Sequence, residues 1–135
     1  MPEYSQTSKK RLATCHPDIQ RVFDVVIQSF DCTIICGHRG QVSQDKAYKT
    51  GKSKVRWPNS KHNREPSEAV DVAPYPINWD DRERFILMAG YILGVATKMD
   101  IPLRWGGDWN RNFILSDEDF HDLAHFELIT TTGST

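Results

Sequence analysis

Two residues suggest metal chemistry: His62, in a polar loop, and Asp71, inside the apolar run Ala69-Val70-Asp71-Val72-Ala73. An ionised carboxylate in a buried strand is costly unless it is paired or bound to a metal. Zinc takes histidine nitrogen and carboxylate oxygen, and catalytic zinc sites use three protein ligands plus a water. Taken alone, the pair equally fits an aspartate that caps a turn or meets an arginine. A third ligand is available in His121-Asp122-Leu123-Ala124-His125-Phe126-Glu127, which concentrates four ionisable side chains. If a helix ran through His125, His121 and His125 would share a face with Asp122 in the place of a base, imitating an HExxH zinc helix. Phe126 to Ile129 instead alternates like a strand, which puts His125 beyond the helix end and turns His121 to solvent. The second geometry is favoured and gives His62, Asp71 and His125 as metal ligands. A zinc site from Cys32, Cys36 and His38 is a lesser option, because it lacks a second matching ligand pair.

Elements to position these residues can be read from periodicity. Ile19, Val22, Phe23, Val26, Ile27 and Phe30 are spaced as one helix face, predicting a helix over 17–30 with Pro17 in its first turn. Thr33-Ile34-Ile35 reads as a strand ending at Cys36-Gly37. A short helix is predicted over 41–49, closed by Gly51. The polar stretch 52–66 is a long loop of the kind that often carries function. Residues 69–73 form a buried strand. A second long helix starts at Asp80 and carries Phe85, Met88, Ala89, Ile92, Leu93 and Ala96 on one stripe. A short strand covers 103–105, and Ser116 with Asp119 predicts a last short helix to about Leu123. His125 to Ile129 is a half-buried strand. The termini, including polar Met1 to Arg11, are expected to be loose around a core of about 10–129. The fold class is α+β: one domain over 1–135, with a small, mainly antiparallel sheet and about three helices.

Composition excludes several classes. The chain has 135 residues, 39% hydrophobic and 26% charged, as in an ordinary folded domain. A net charge of −1 gives no footprint for nucleic acid or an anionic membrane. The apolar runs are far too short to cross a bilayer. Without an apolar leader, the protein is expected to be made and first held in a cytoplasm. Its three cysteines, Cys15, Cys32 and Cys36, read as free thiols.

Ser60-Lys61-His62, Ala69-Val70-Asp71 and His125-Phe126-Glu127 together resemble the SxH…AxD…HxE pattern of the M15 zinc peptidases. That family includes D,D-carboxypeptidases, D,D-dipeptidases and phage L-alanyl-D-glutamate endolysins. Gly37-His38-Arg39 is similar to its substrate-binding arginine segment, and Trp105-Gly106-Gly107-Asp108-Trp109 to a turn common in the endolysin branch. The resemblance runs from about residue 10 to 129. It implies the zinc D-Ala-D-Ala-peptidase fold, which is hedgehog-like, with Zn2+ on His62, Asp71 and His125. It also implies a catalytic role for Asp122, and substrate or oxyanion contacts for Arg39 and Ser60. Aspartate rather than glutamate at 122 is similar to the L-alanyl-D-glutamate branch. One departure stands out: eight residues, including Pro66 and no glycine, separate His62 from Asp71 where the family often has a shorter glycine-containing spacing, so the loop must bulge.

The resemblance implies a peptidoglycan endopeptidase of bacteriophage type. It would be a monomer held in the host cytoplasm until lysis and acting on stem peptides, with no nucleic-acid or membrane partner. The alternatives are a D,D-carboxypeptidase and a non-catalytic zinc-binding module. Plainer roles stand beside the functional ones. Arg39 would make a surface salt bridge, Ser60 would cap a turn or orient His62, and Asp108 would fix the glycine turn. Glu127 would either support a ligand or pair with a cation.

Overall fold

The predicted helical stripe at Ile19, Val22, Phe23 and Val26 becomes α2 (Pro17–Val26), with all four side chains fully buried. The Nδ1 of His16 accepts the Asp18 amide as its cap, and the helix gives way to turns over 27–30 rather than continuing. The computed structural model describes residues 1–116 and 121–129. Helix α3 (Gln41–Lys49) matches its predicted span, and Gly51 follows it at φ 83°, the left-handed conformation that glycine tolerates. Helix α4 (Arg82–Lys98) starts two residues later than expected. Asp81 is its cap, accepting the Arg84 amide at 3.2 Å. Its buried face of Phe85, Met88, Ala89, Ile92 and Ala96 packs against α2 and the sheet.

Among the described residues, four strands make one antiparallel sheet: β1 (Cys32–Cys36), β2 (Ala69–Pro74), β3 (Leu103–Gly106) and β4 (Asp122–Leu128), in the order β1-β2-β4-β3. Ile34 pairs with Val72 and Val70 with Phe126, and all four side chains are fully buried on the core face. Asp71 lies between Val70 and Val72, and its side chain therefore projects from the opposite face. The α+β expectation holds.

Two sequence expectations differ from the structure. The N-terminus is not loose: Gln6–Leu12 forms α1, capped by Ser5 and packed on β1. The Ser8 hydroxyl accepts the Ile34 amide at 3.0 Å, and Arg11 donates to the Ile34 carbonyl at 3.1 Å. These bonds satisfy an edge strand that would otherwise stay open. The helix is docked mainly by polar bonds, with Leu12 as its buried apolar residue, so no apolar stripe announced it. The helix predicted to reach Leu123 is also corrected. Asp122 and Leu123 belong to β4, because Gly106 pairs with Asp122 past a bulge in the β3–β4 ladder. Residues 117–120, where the rest of that helix was expected, lie outside the described residues.

Candidate metal centre

Sheet register assembles most of the site. Asp71 on β2 pairs with His125 on β4 and, across a bulge in β1, with Cys36. Residues paired across strands share a face, so these three form a row. His62 arrives from the loop through a single 3-10 turn, Lys61–Asn63. Ser60 caps that turn: its hydroxyl accepts the His62 amide at 3.2 Å, while Asn63 Oδ1 accepts the Ser60 amide at 3.1 Å. The extra loop residues close on themselves, with the Glu68 amide donating to the Lys61 carbonyl at 3.0 Å.

Both histidine rings are held by their outer nitrogens. His62 Nδ1 lies 2.7 Å from the Gly37 carbonyl, and His125 Nε2 lies 2.8 Å from Glu127 Oε1. A carbonyl and an ionised carboxylate only accept, so both outer nitrogens carry hydrogen. The inner nitrogens, His62 Nε2 and His125 Nδ1, both face Asp71 Oδ1 at 3.2 Å. Neutral rings would aim two lone pairs at a carboxylate oxygen, so each inner nitrogen must carry a second proton or share a cation with Asp71. Two imidazole nitrogens and a carboxylate are a zinc donor set, each ring oriented by an outer partner as in zinc proteins. The three residues fit a divalent metal on this ground.

The electrostatics agree in direction. Burial favours neutral His62, but the charge and hydrogen bond of Asp71, with a further bond to Cys36, push its pKa up to about 10. Burial likewise opposes charge on His125, yet bonds to Asp71 and Glu127 raise it. Burial would raise Asp71, and the two rings instead hold it far below the usual carboxylate range. Glu127 is held down to about 2, since its bonds to His125 and Arg104 outweigh burial.

Asp122 stands at the start of β4, where one of its carboxylate oxygens, one of Asp71 and a ring nitrogen of His125 lie within 4.8 Å of one another. Burial, then the Asp71 charge, raises its pKa. Gly106 makes this placement possible, because a Cβ there would stand 2.2 Å from the Asp122 carbonyl oxygen. Arg39 is no surface arginine: it is 16% exposed, bonds Asp71 Oδ2 at 3.3 Å and reaches Gln44 Oε1 at 3.0 Å. Arg39, Ser60, Asp122 and the three candidate ligands all line one open groove of about 1240 Å³. His121 also lines it, rather than simply facing solvent; it bonds the Leu115 carbonyl and Arg82.

Glu127 does both things the sequence left open: it holds His125 and pairs with Arg104 at 2.6 Å and Lys61 at 3.6 Å. The Arg104 guanidinium lies 5.5 Å from the Trp109 ring, whose face tilts over His125 at 5.6 Å. Asp108 fixes its turn by accepting the Phe113 amide at 2.8 Å. The Cys32–Cys36–His38 option dissolves. Cys32 meets Tyr4, His38 faces Glu65, and Cys36 alone of the three joins His62 and Asp71. Sequence reasoning missed the roles of Gly37, Arg104, Lys61 and this position of Cys36, because only the bulge, the strand register and, for Lys61, the 3-10 turn bring them to the site.

With this geometry in view, comparison with known proteins is decisive for kinship. The family described as phage L-alanyl-D-glutamate peptidase matches residues 2–129. The chain belongs to that family. It is 30% identical, over 94% of its length and 98% of the relative's, to the L-alanyl-D-glutamate peptidase of Escherichia phage T5. Its fold is similar to the crystal structure of Serratia marcescens L-Ala D-Glu endopeptidase ChiX, with a TM-score of 0.76 at 22% identity, covering 98% of this chain and 95% of that one.

Proposed function

We propose that this chain is a zinc-dependent endopeptidase that cuts between L-alanine and D-glutamate in peptidoglycan stem peptides. Its metal ligands are His62, Asp71 and His125. The observation that carries this reading is the convergence of two tautomer-fixed ring nitrogens on Asp71 Oδ1, beside Asp122 and on the wall of an open groove. Family membership and the names of the relatives support the choice of bond. Zinc, when bound, lowers the pKa of a water and polarises the scissile carbonyl. Asp122 would accept the proton of the attacking water at its carboxylate and pass it to the leaving amine, ending ionised again. Arg39 holds Asp71 Oδ2, which leaves Oδ1 facing the rings, and from the groove wall it also meets a substrate carboxylate or the developing oxyanion. Ser60 acts through His62 by capping the turn that carries it, and contacts substrate from the groove wall. The enzyme works as a monomer, stays in the host cytoplasm until lysis and then reaches the wall.

Purified peptidoglycan digested with and without a chelator, followed by mass analysis, tests the reaction. New N-terminal glutamate that disappears with the chelator is expected; free D-alanine would instead mark a carboxypeptidase and overturn the assignment. Asp122→Ala is expected to abolish turnover while zinc stays stoichiometric, and retained turnover would remove Asp122 from the mechanism.

A further inference from the structure

The charge of the chain is unevenly distributed. Residues 46–64 contain seven of its seventeen basic residues and none of its eighteen acidic ones. The segment spans the end of α3 and the loop that delivers His62, and Lys46, Lys52, Lys54 and Lys61 from it line the same groove as the candidate metal ligands. Some of its cations are already engaged. Arg64 pairs with Glu68, Lys61 with Glu127, and Arg56 stacks over Tyr48 at 4.8 Å. Among the described residues, Lys46 and Lys52 have no carboxylate within ion-pairing distance, and both are exposed. The groove is therefore polarised: Asp71 and Glu127 in it are tied to histidine and arginine, and one wall carries the exposed Lys46 and Lys52. A cleft lined by one sign of charge concentrates ligands of the opposite sign.

We propose that this wall is a carboxylate-binding subsite that makes the enzyme select stem peptides with free rather than amidated acid groups. The inference rests on the function proposed above. D-Glutamate linked through its side chain leaves its α-carboxylate free beside the scissile bond, on the residue that supplies the leaving amine, and a diamino acid further along the peptide adds another. Ammonium groups recognise such charges with little geometric demand, which suits flexible lysines rather than a bidentate arginine. Binding through exposed pairs is also screened by salt.

The test compares two soluble stem tetrapeptides, identical except that the α-carboxyl of D-glutamate is free in one and amidated in the other. Both are offered to the zinc-loaded enzyme and to the Lys46→Gln/Lys52→Gln variant, at low and high salt. Wild type is expected to prefer the free acid through KM, and to lose that preference at high salt. In the variant, KM for the free acid is expected to rise roughly fivefold, the scale of two exposed ion pairs acting together, with kcat held. Its KM for the amidated peptide should move little, so the two peptides converge. Equal KM for both peptides in wild type, or an equal fall in kcat for both in the variant, would overturn the subsite. Failure to cleave either peptide would instead overturn the proposed function, which keeps the two failures apart. An unchanged melting temperature shows that the variant is folded.

Discussion

Glu127→Gln separates charge from shape at the centre of the site. Glutamine keeps a carbonyl oxygen to accept the His125 Nε2 hydrogen, but it removes the charge that faces Arg104 and Lys61. The Glu127 side chain is 9% exposed, and its pKa falls from 4.5 to about 2 on folding. A pKa depressed in the folded state means the unfolded chain binds more protons between those values. The stabilisation is therefore complete above the unfolded pKa and lost as pH falls through the folded one. The shift corresponds to about 3 kcal/mol at neutral pH, about 1 at pH 3 and well below about 1 at pH 2. Urea denaturation of both proteins, with chelator present so that metal release does not enter, reads this difference directly. The gap between the two stability curves is expected to be widest above about pH 5 and to close towards pH 2. Parallel curves across that window would show that the ionised carboxylate contributes nothing, and that Glu127 acts only through its shape.

Three further outcomes are expected. Gly106→Ala places a methyl 2.2 Å from the Asp122 carbonyl oxygen, and backbone cannot yield as a flexible side chain does. It should cost about 1–3 kcal/mol in denaturant titrations and reduce kcat by more than that loss explains, since it displaces Asp122. Phe126→Ala empties a fully buried position between Phe23 and Trp105, whose ring centroids lie 6.3 and 6.5 Å away. A loss of about 3–5 kcal/mol is expected, and a fall in stability below about 1 kcal/mol would contradict the packing described. Adding zinc to chelated protein should raise the melting temperature, by about 2.7 kcal/mol of stability at a hundredfold excess over Kd. The same addition to His125→Ala should give much less, and equal shifts would argue against His125 as a ligand.

Legibility from sequence followed the kind of force involved. Helices α2 and α4 and the strands around Ile34 and Asp71 were readable because burial leaves apolar stripes or runs, and α3 from the glycine that closes it. Helix α1 was not, because Ser8 and Arg11 dock it through hydrogen bonds to Ile34, and such bonds leave no period. The early start of β4 was missed for a related reason: Asp122 and Leu123 are drawn into the sheet by pairing with Gly106, a tertiary contact that overrides a local helix signal. At the site, His62, Asp71, His125 and Asp122 were nameable from residue type and resemblance. Their partners Gly37, Arg104 and Lys61 were not, since none is unusual where it stands in the chain.

The β1 bulge explains why so few residues suffice to build the centre. In an unbroken ladder Ile35 would face Asp71; the shift between Ile34 and Cys36 instead brings Cys36 opposite Asp71 and carries Gly37 one step further. The Gly37 carbonyl is then available to the Nδ1 hydrogen of His62, and that bond selects the tautomer. Gly37 tolerates no side chain, because a Cβ would stand 2.5 Å from the Arg11 carbonyl oxygen at the end of α1. The N-terminal helix thus bears on the candidate metal centre through the strand edge it covers: α1 packs against Gly37, Gly37 sets the His62 ring, and the ring turns its Nε2 towards Asp71. On β4 the same task is done by one side chain, Glu127, two residues along the strand from His125 and held in turn by Arg104 on β3. The two candidate ligand rings are therefore oriented from opposite sides of the sheet, by a backbone carbonyl on one side and a charged pair on the other, and they meet at Asp71.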